Sequence, residues 1–148
     1  MWSRKQTRRK GRRVLTQRAK LTQIAPVLPA RHVSALASFY CEKLGFEPAF
    51  IDPSTDQDDP RYVGIRRDAI ELHIQWHSAE EWEIMTNPLL RFIVDDVDAL
   101  HAEYRPNGVF HDGTALRNTA WGTREFGLYD PDGNGLIFFR DLRADEKT

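Results

Sequence analysis

The 148-residue sequence has a single cysteine and no long apolar run, and each scarcity excludes a class of protein. Cys41 has no partner for an internal disulfide, which excludes a disulfide scaffold and indicates a reducing, cytoplasmic location. A membrane-spanning helix needs about 18 or more consecutive apolar residues. Since the sequence has no such stretch, we expect a soluble globular protein with no membrane partner. The glycine-rich motifs that bind nucleotide phosphates are also missing.

Acidic residues are absent from the first 20 positions, which hold nine basic residues. The other 128 residues hold 12 basic and 22 acidic ones, a formal net charge of −10. Because an acidic body attracts cations, we expect its ligand to be cationic or neutral. We interpret residues 1–20 as a disordered basic arm. Two readings of this arm stay open, an unstructured tail or a segment that contacts nucleic acid, which is otherwise not an expected partner.

One order of predicted elements occurs twice along the rest of the chain. In residues 21–82 an apolar stretch with two prolines predicts an edge strand, and a helix follows that ends at Gly45. Three more strands are then predicted, at 46–52 and as a pair within 62–77.

Residues 88–143 repeat this order with a strand, a helix that ends at Gly108, and up to three strands. The predicted ranges are 89–94 for the first strand, 95–108 for the helix, and 109–111, 124–130 and 135–142 for the last strands. We therefore predict an α+β fold with a single domain over 21–143. Two repeated βαβββ modules, 21–82 and 88–143, would form a curved mixed sheet around a ligand-binding cleft.

Three stretches in this order resemble the vicinal oxygen chelate superfamily, which includes glyoxalase I, extradiol dioxygenases and the bleomycin-resistance proteins. They are PVLPARHVSALASFYCEKLGF, LRFIVDDVDALHAEY and WGTREFGLYDPDGNGLIFF. The first and third are most similar to the bleomycin-resistance branch. The resemblance implies the glyoxalase/bleomycin-resistance fold of paired modules, in agreement with the duplication.

For the enzymes of this superfamily, the resemblance implies one divalent ion held by His or Glu from four strand positions. Three of these positions fall on Ala25, Leu89 and Ile137, whose aliphatic side chains cannot bind a metal. The fourth lies in the stretch from Glu71 to His73 and stays ambiguous. We predict no metal, no cofactor and no catalytic residue. The alternative is a metal-dependent enzyme of the glyoxalase or dioxygenase type.

Two other histidines and one turn also have simpler interpretations than a metal site. His101 lies on the apolar face of its helix, so we predict a core histidine, and His111 is predicted in a loop. The sequence DPDGNG at 130–135 lacks the glutamate and the glycine position of a calcium loop. Its proline and glycines predict a hairpin turn instead.

The resemblance to the bleomycin-resistance branch implies a homodimer that sequesters bleomycin-type drugs, which are planar and cationic, in grooves between the subunits. By motif match, Phe50 and Trp121 take the positions that stack on the planar part of the drug. Each of these residues also has a purely structural interpretation. Phe50 could belong to the core of its strand, and Trp121 could pack under the loop. Gly122 would permit close approach of the ligand.

The remaining ligand-binding candidates are polar. Arg124 and Glu125 are adjacent, so at most one of them faces the groove if both lie on a strand. Asp52 begins an acidic loop after Phe50, and such a loop could attract a cationic tail. His73 completes the set of predicted ligand-binding residues.

Overall fold

A computed structural model describes residues 17–147, and the predicted order of elements occurs twice in it. Most of the predicted basic arm, residues 1–16, lies outside the described residues. Module one consists of β1 (Val27–Ala30), α1 (Val33–Leu44), β2 (Glu47–Ile51), β3 (Tyr62–Arg67) and β4 (Ile70–Trp76). A short connecting helix follows, α2 (Ala79–Ile84). Module two consists of β5 (Leu89–Ile93), α3 (Val97–Tyr104), β6 (Arg117–Asn118), β7 (Thr123–Tyr129) and β8 (Gly135–Asp141).

Each module forms its own four-stranded mixed sheet. The strand orders are β1-β4-β3-β2 and β5-β8-β7-β6. In both sheets the first strand runs parallel to the last strand of its module, and the other pairs are antiparallel. The predicted α+β fold of two βαβββ modules is therefore confirmed. The strands form two separate sheets, however, and not one continuous curved sheet.

The helices form where the predicted apolar spacing lies, and each covers one face of its own sheet. In α1 the buried residues recur at helical spacing, and Gly45 ends the helix with a φ of 75°, which favours glycine. Helix α1 packs on β3 and β4, and α3 packs on β7 and β8. None of the helices in the described part of the chain is long and apolar enough to cross a membrane.

One hydrophobic core extends through both modules, and polar contacts join them at its edge. The hydroxyl of Tyr40 in α1 donates to the carboxylate of Asp130 at 2.8 Å. Asn134, fully buried, donates to the same carboxylate and to the backbone oxygen of Pro29. Burial raises the pKa of both Tyr40 and Asp130. The DPDGNG segment is the predicted hairpin turn, and its two side chains also link module two to module one.

The structure differs from the predicted secondary structure at two places. Residues 109–111 form no strand, and the edge strand β6 lies at Arg117–Asn118 instead. The segment between the modules contains α2, where no helix was predicted. Ser78 and Glu81 form a capping box at its start, in which each side chain bonds the other residue's backbone N–H.

Candidate functional site

Because each helix covers one side of its sheet, the other side has no helix on it. We call these the open face of module one and the open face of module two. Apolar and aromatic side chains are exposed on both of them: Val27, Phe50, Leu89, Ile93 and Tyr129. Exposed apolar patches of this kind mark binding or association surfaces.

Phe50 lies on the open face of module one and not in the core. Its ring is 39% exposed and stacks with the Tyr62 ring at 6.3 Å between centroids. It also meets the His73 ring edge-on at 5.1 Å. Gly64, opposite Phe50 in the sheet, makes this position possible, since a Cβ atom at Gly64 would overlap the phenyl ring. The open face therefore presents an aromatic surface held in place by its neighbours.

A chain of hydrogen bonds runs across this face beside Phe50. Nδ1 of His73 lies 2.7 Å from the Tyr62 hydroxyl, and Nε2 lies 2.9 Å from a Glu71 oxygen. A carboxylate only accepts, so Nε2 of the neutral ring donates to Glu71, and Nδ1 accepts the Tyr62 hydroxyl proton. The three side chains thus fix one another, and the remaining oxygen lone pairs of Tyr62 and Glu71 are acceptors for a ligand's N–H groups.

Asp52 lies just after β2 and shapes the acidic loop. Its carboxylate accepts hydrogen bonds from the backbone N–H and the hydroxyl of Ser54, at 2.9 and 2.7 Å. These bonds, the backbone N–H first, lower the pKa of Asp52. Asp52 therefore keeps its negative charge at the border of the open face of module one.

Trp121 lies in the turn between β6 and β7 and is 64% exposed. Gly122 follows with a φ of 91°, a conformation that side chains other than glycine rarely adopt, and its N–H donates to the oxygen of Thr119. No atom lies within 4 Å of a Cβ built at Gly122. The structure thus gives Gly122 a clear local role in the turn that holds Trp121 out from the surface.

Arg124 and Glu125 lie on opposite faces of β7. The guanidinium of Arg124 binds both carboxylate oxygens of Asp98 in α3, at 2.9 and 2.7 Å, and the arginine lowers the pKa of Asp98. Glu125 lies on the open face of module two but is only 3% exposed. Its carboxylate accepts hydrogen bonds from Arg91 at 3.0 Å and from Thr123 at 2.8 Å.

The residues at the superfamily's metal-binding positions do not fit a metal ion. Leu89 and Ile137 both lie on the open face of module two, where they line a cavity of about 270 Å³. Glu71 and His73 bind each other. Within residues 17–147, no three or more His, Cys, Asp or Glu side chains are grouped closely enough to hold an ion. His101 is a core histidine as predicted, packed between Phe110 and Phe126.

Sequence reasoning missed the residues that organise these two faces. Tyr62 and Gly64 were seen only as strand residues, and Arg91 and Arg117 were not considered. Alternation with core residues could have placed Tyr62, Gly64 and Arg91 on the open faces, because successive strand residues point to opposite sides. Their contacts run between strands, however, and depend on the pairing register.

The fold and the open faces define a protein with two paired modules and exposed aromatic and polar surfaces suited to small molecules. The sequence profile of the Glyoxalase/Bleomycin resistance protein/Dioxygenase superfamily matches residues 20–138. The chain therefore belongs to this superfamily, as the sequence resemblance predicted. Its similarities with individual proteins favour the bleomycin branch.

Among proteins of this kind, a bleomycin resistance protein of Geobacillus stearothermophilus is 25% identical over 139 residues, covering 84% of this chain and 100% of that protein. The crystal structure of a bleomycin-binding protein from Streptomyces verticillus, complexed with copper(II)-bleomycin, is 32% identical with a TM-score of 0.63. That alignment covers 82% of this chain and 97% of the other.

A lactoylglutathione lyase from Agrobacterium tumefaciens also has this fold, with a TM-score of 0.62 at 16% identity. The alignment covers 82% of this chain and 95% of the lyase. Since a binding protein and a lyase share the architecture, function has to be argued from the side chains of the open faces.

Proposed function

We propose that this protein binds bleomycin-family antibiotics and sequesters them unchanged, as a homodimer in the cytoplasm. The ligand would be a planar, cationic small molecule held in grooves between the subunits. The proposal draws on the 32% identical bleomycin-binding protein and on the side chains of the open faces. No catalytic step is proposed, because the positions corresponding to the metal ligands of the superfamily's enzymes carry Ala25, Leu89 and Ile137.

The observation that carries this proposal is the exposure of two aromatic side chains at the positions inherited from the bleomycin branch. Phe50 is 39% exposed and Trp121 is 64% exposed, so both rings are available for stacking. Each aromatic contact with a cation or flat heteroaromatic contributes on the order of 0.5 to 2 kcal/mol. Asp52 and the following acidic loop supply negative charge for the cationic part of such a ligand.

A homodimer is proposed because the open faces leave much apolar surface in water. Leu89 is 61% exposed and Ile93 is 83% exposed on the open face of module two, and Val27 is 41% exposed on the other. Burying such side chains against a second copy is favourable by roughly 25 cal/mol per Å² of apolar area. The polar groups of Glu71 and Tyr62 would then line the groove beside this contact.

Calorimetric titration with metal-free bleomycin tests the proposal. We expect saturable binding at micromolar concentrations or below and recovery of the drug unaltered. Trp121→Ala is expected to weaken binding at least tenfold, because it removes the most exposed aromatic ring of the described chain. Sedimentation of the unliganded protein should give twice the monomer mass.

Trp76→Ala serves as the matched control. Trp76 is also an exposed tryptophan, at 37%, but Arg61 covers its ring at 4.1 Å, and we assign it no role in the ligand site. It should bind bleomycin like the original protein. Absence of binding, or equal losses in both variants, would overturn the proposal. Binding of stoichiometric Ni, Zn, Mn or Fe with conversion of a small-molecule substrate would instead support the enzyme alternative.

A further inference from the structure

The open face of module two brings two arginines to one buried carboxylate. Glu125 in β7 is 3% exposed, and Arg91 in β5 donates to one of its oxygens at 3.0 Å. Arg117 in β6 lies 4.0 Å from the other oxygen. Thr123 donates to Glu125 at 2.8 Å. These contacts offset the cost of removing the Glu125 carboxylate from water.

One positive charge is left over at this cluster. Glu125 neutralises one guanidinium, and within residues 17–147 no other carboxylate lies within 4.0 Å of Arg91 or Arg117. Their side chains are 38% and 65% exposed, so donor groups remain accessible. This local positive charge contrasts with the rest of the chain, because residues 21–148 have a formal net charge of −10. Such a site is attractive for an anion at short range.

Neighbouring side chains hold the Arg91 guanidinium in place. It lies 4.3 Å above the Phe139 ring, and Glu125 fixes its Nη2 atom from the side. Phe139 pairs with Glu125 across β7 and β8, so the ring, the carboxylate and the arginines belong to one face. A guanidinium fixed in this way loses little conformational freedom when it binds a ligand.

A cavity of about 270 Å³ adjoins the cluster, and Arg117 and Glu125 are part of its wall. Gly127 lines the cavity without a side chain that would fill it, and Leu89 and Ile137 add apolar lining. His111 also lines the cavity, and its Nδ1 accepts the Gly113 N–H at 3.0 Å. The neutral His111 ring then carries its proton on Nε2, which adds another donor. Apolar walls with a few directed donors suit an aromatic group that carries an oxyanion.

We propose that this cluster binds an oxyanion, a carboxylate, sulfate or phosphate, attached to an aromatic group that fills the cavity. The inference rests on the proposed function, because the proposed groove between the subunits would place this cluster beside the same ligand. It adds that the ligand best suited to this protein is zwitterionic. Its cationic part would face the acidic loop of module one, and its oxyanion would face Arg91 and Arg117.

The test compares probes with one ring system and different charge. Binding of 2-naphthoate, naphthalene-2-sulfonate, 2-naphthyl phosphate and uncharged 2-naphthamide is measured by calorimetry at low salt. We expect at least one anion to bind tenfold or more tightly than the amide, and the three anions distinguish carboxylate, sulfate and phosphate recognition. Arg117→Gln should reduce this preference to threefold or less. Equal affinity for the amide and all three anions would overturn the inference.

Arg66→Gln is the matched control, because it removes one positive charge from an exposed arginine on the open face of module one. It should keep the preference for the anion. If both arginine variants lose it equally, the effect comes from overall charge and the site is wrong. Gly127→Leu would fill the cavity, and retained probe binding in a folded Gly127→Leu protein would also contradict the inference.

The same variants separate this inference from the proposed function. Trp121→Ala should weaken bleomycin binding but keep the preference for the anion, since Trp121 does not line the cavity. If bleomycin binds and no anionic probe is preferred, only the oxyanion site is wrong. If the anionic probes are preferred and bleomycin does not bind, the antibiotic function is wrong and the oxyanion site stands.

Discussion

The open faces of the two modules come from one order of strands but carry different chemistry. On module one, Phe50, Tyr62, His73 and Glu71 form an aromatic surface with hydrogen-bond acceptors. On module two, the corresponding polar centre is Glu125, which is buried under two arginines beside a cavity. Under the two proposals, one face would receive a planar cation and the other an anion.

This difference shows which strand positions are free to differ between two copies of one fold. Positions that pack into the shared core stay apolar in both copies, as Ile65 and Phe126 do. Positions on the open faces make no such contact, so their side chains can differ without loss of the fold. Duplicated modules can therefore supply two unlike walls for one ligand.

The largest expected effect is on stability, when the glutamate of each open face, Glu125 or Glu71, is replaced. Glu125→Gln should lower the free energy of unfolding by about 2 kcal/mol, because a buried carboxylate loses charge-assisted hydrogen bonds and two guanidiniums lose their counter-charge. Glu71→Gln should cost about 0.5 kcal/mol or less, since the Glu71 side chain is 39% exposed and solvent screens its contact with His73. Urea unfolding measures both values. Equal losses of unfolding free energy would contradict the difference between a buried carboxylate on one face and a solvent-screened one on the other.

The next effect concerns two glycines in equivalent settings, Gly64 and Gly127. A Cβ at Gly64 would overlap the Phe50 ring, so Gly64→Ala should displace Phe50 and destabilise the protein by about 1 kcal/mol. In the proposed function it should also weaken bleomycin binding about tenfold. Thermal unfolding and calorimetry on the purified variant give both numbers.

Gly127→Ala is the control for this prediction. A Cβ there would lie 3.4 Å from the Leu136 oxygen and 3.6 Å from Ile137 Cγ1, close to ordinary contact. We expect a change within about 0.5 kcal/mol, because alanine also restricts the unfolded chain. A larger loss at Gly127 than at Gly64 would show that the Phe50 contact is not what Gly64 permits.

The sequence predicted most of the architecture because the helices and long strands have strong periodic patterns. Helix α1 has four buried residues at helical spacing, and Gly45 marks its end. Strand β6 was missed because two residues are too few to show an alternation. The helix α2 was missed because it has no buried residue, so it has no apolar face for a pattern to reveal.

For the candidate site, the sequence predicted the positions of single residues but not the contacts between them. Motif match placed Phe50 and Trp121, and both prove to be exposed aromatics, although their ligand role stays a prediction. Alternation placed Arg124 and Glu125 on opposite faces. The contacts that define the faces join different strands, as Arg91 and Arg117 meet at Glu125. They depend on sheet register, which a single sequence does not encode in its local pattern.

The smallest expected effect concerns the charge beside the open face of module one. Ser54→Ala removes the hydroxyl bond to Asp52 and should raise the pKa of Asp52 towards its ordinary value, measured by carboxyl NMR titration. Because the folded-state pKa is lowered, the stabilisation is present at neutral pH and is lost as the pH falls through that pKa. On acidification, Asp52 of the variant should therefore lose its charge before Asp52 of the original protein does, and affinity for a cationic ligand should fall with it. Ser38→Ala, at an exposed position of α1, should leave the Asp52 titration unchanged. An unchanged titration in Ser54→Ala would contradict this prediction. It would mean that the hydrogen bond from the backbone N–H of Ser54 alone lowers the pKa of Asp52.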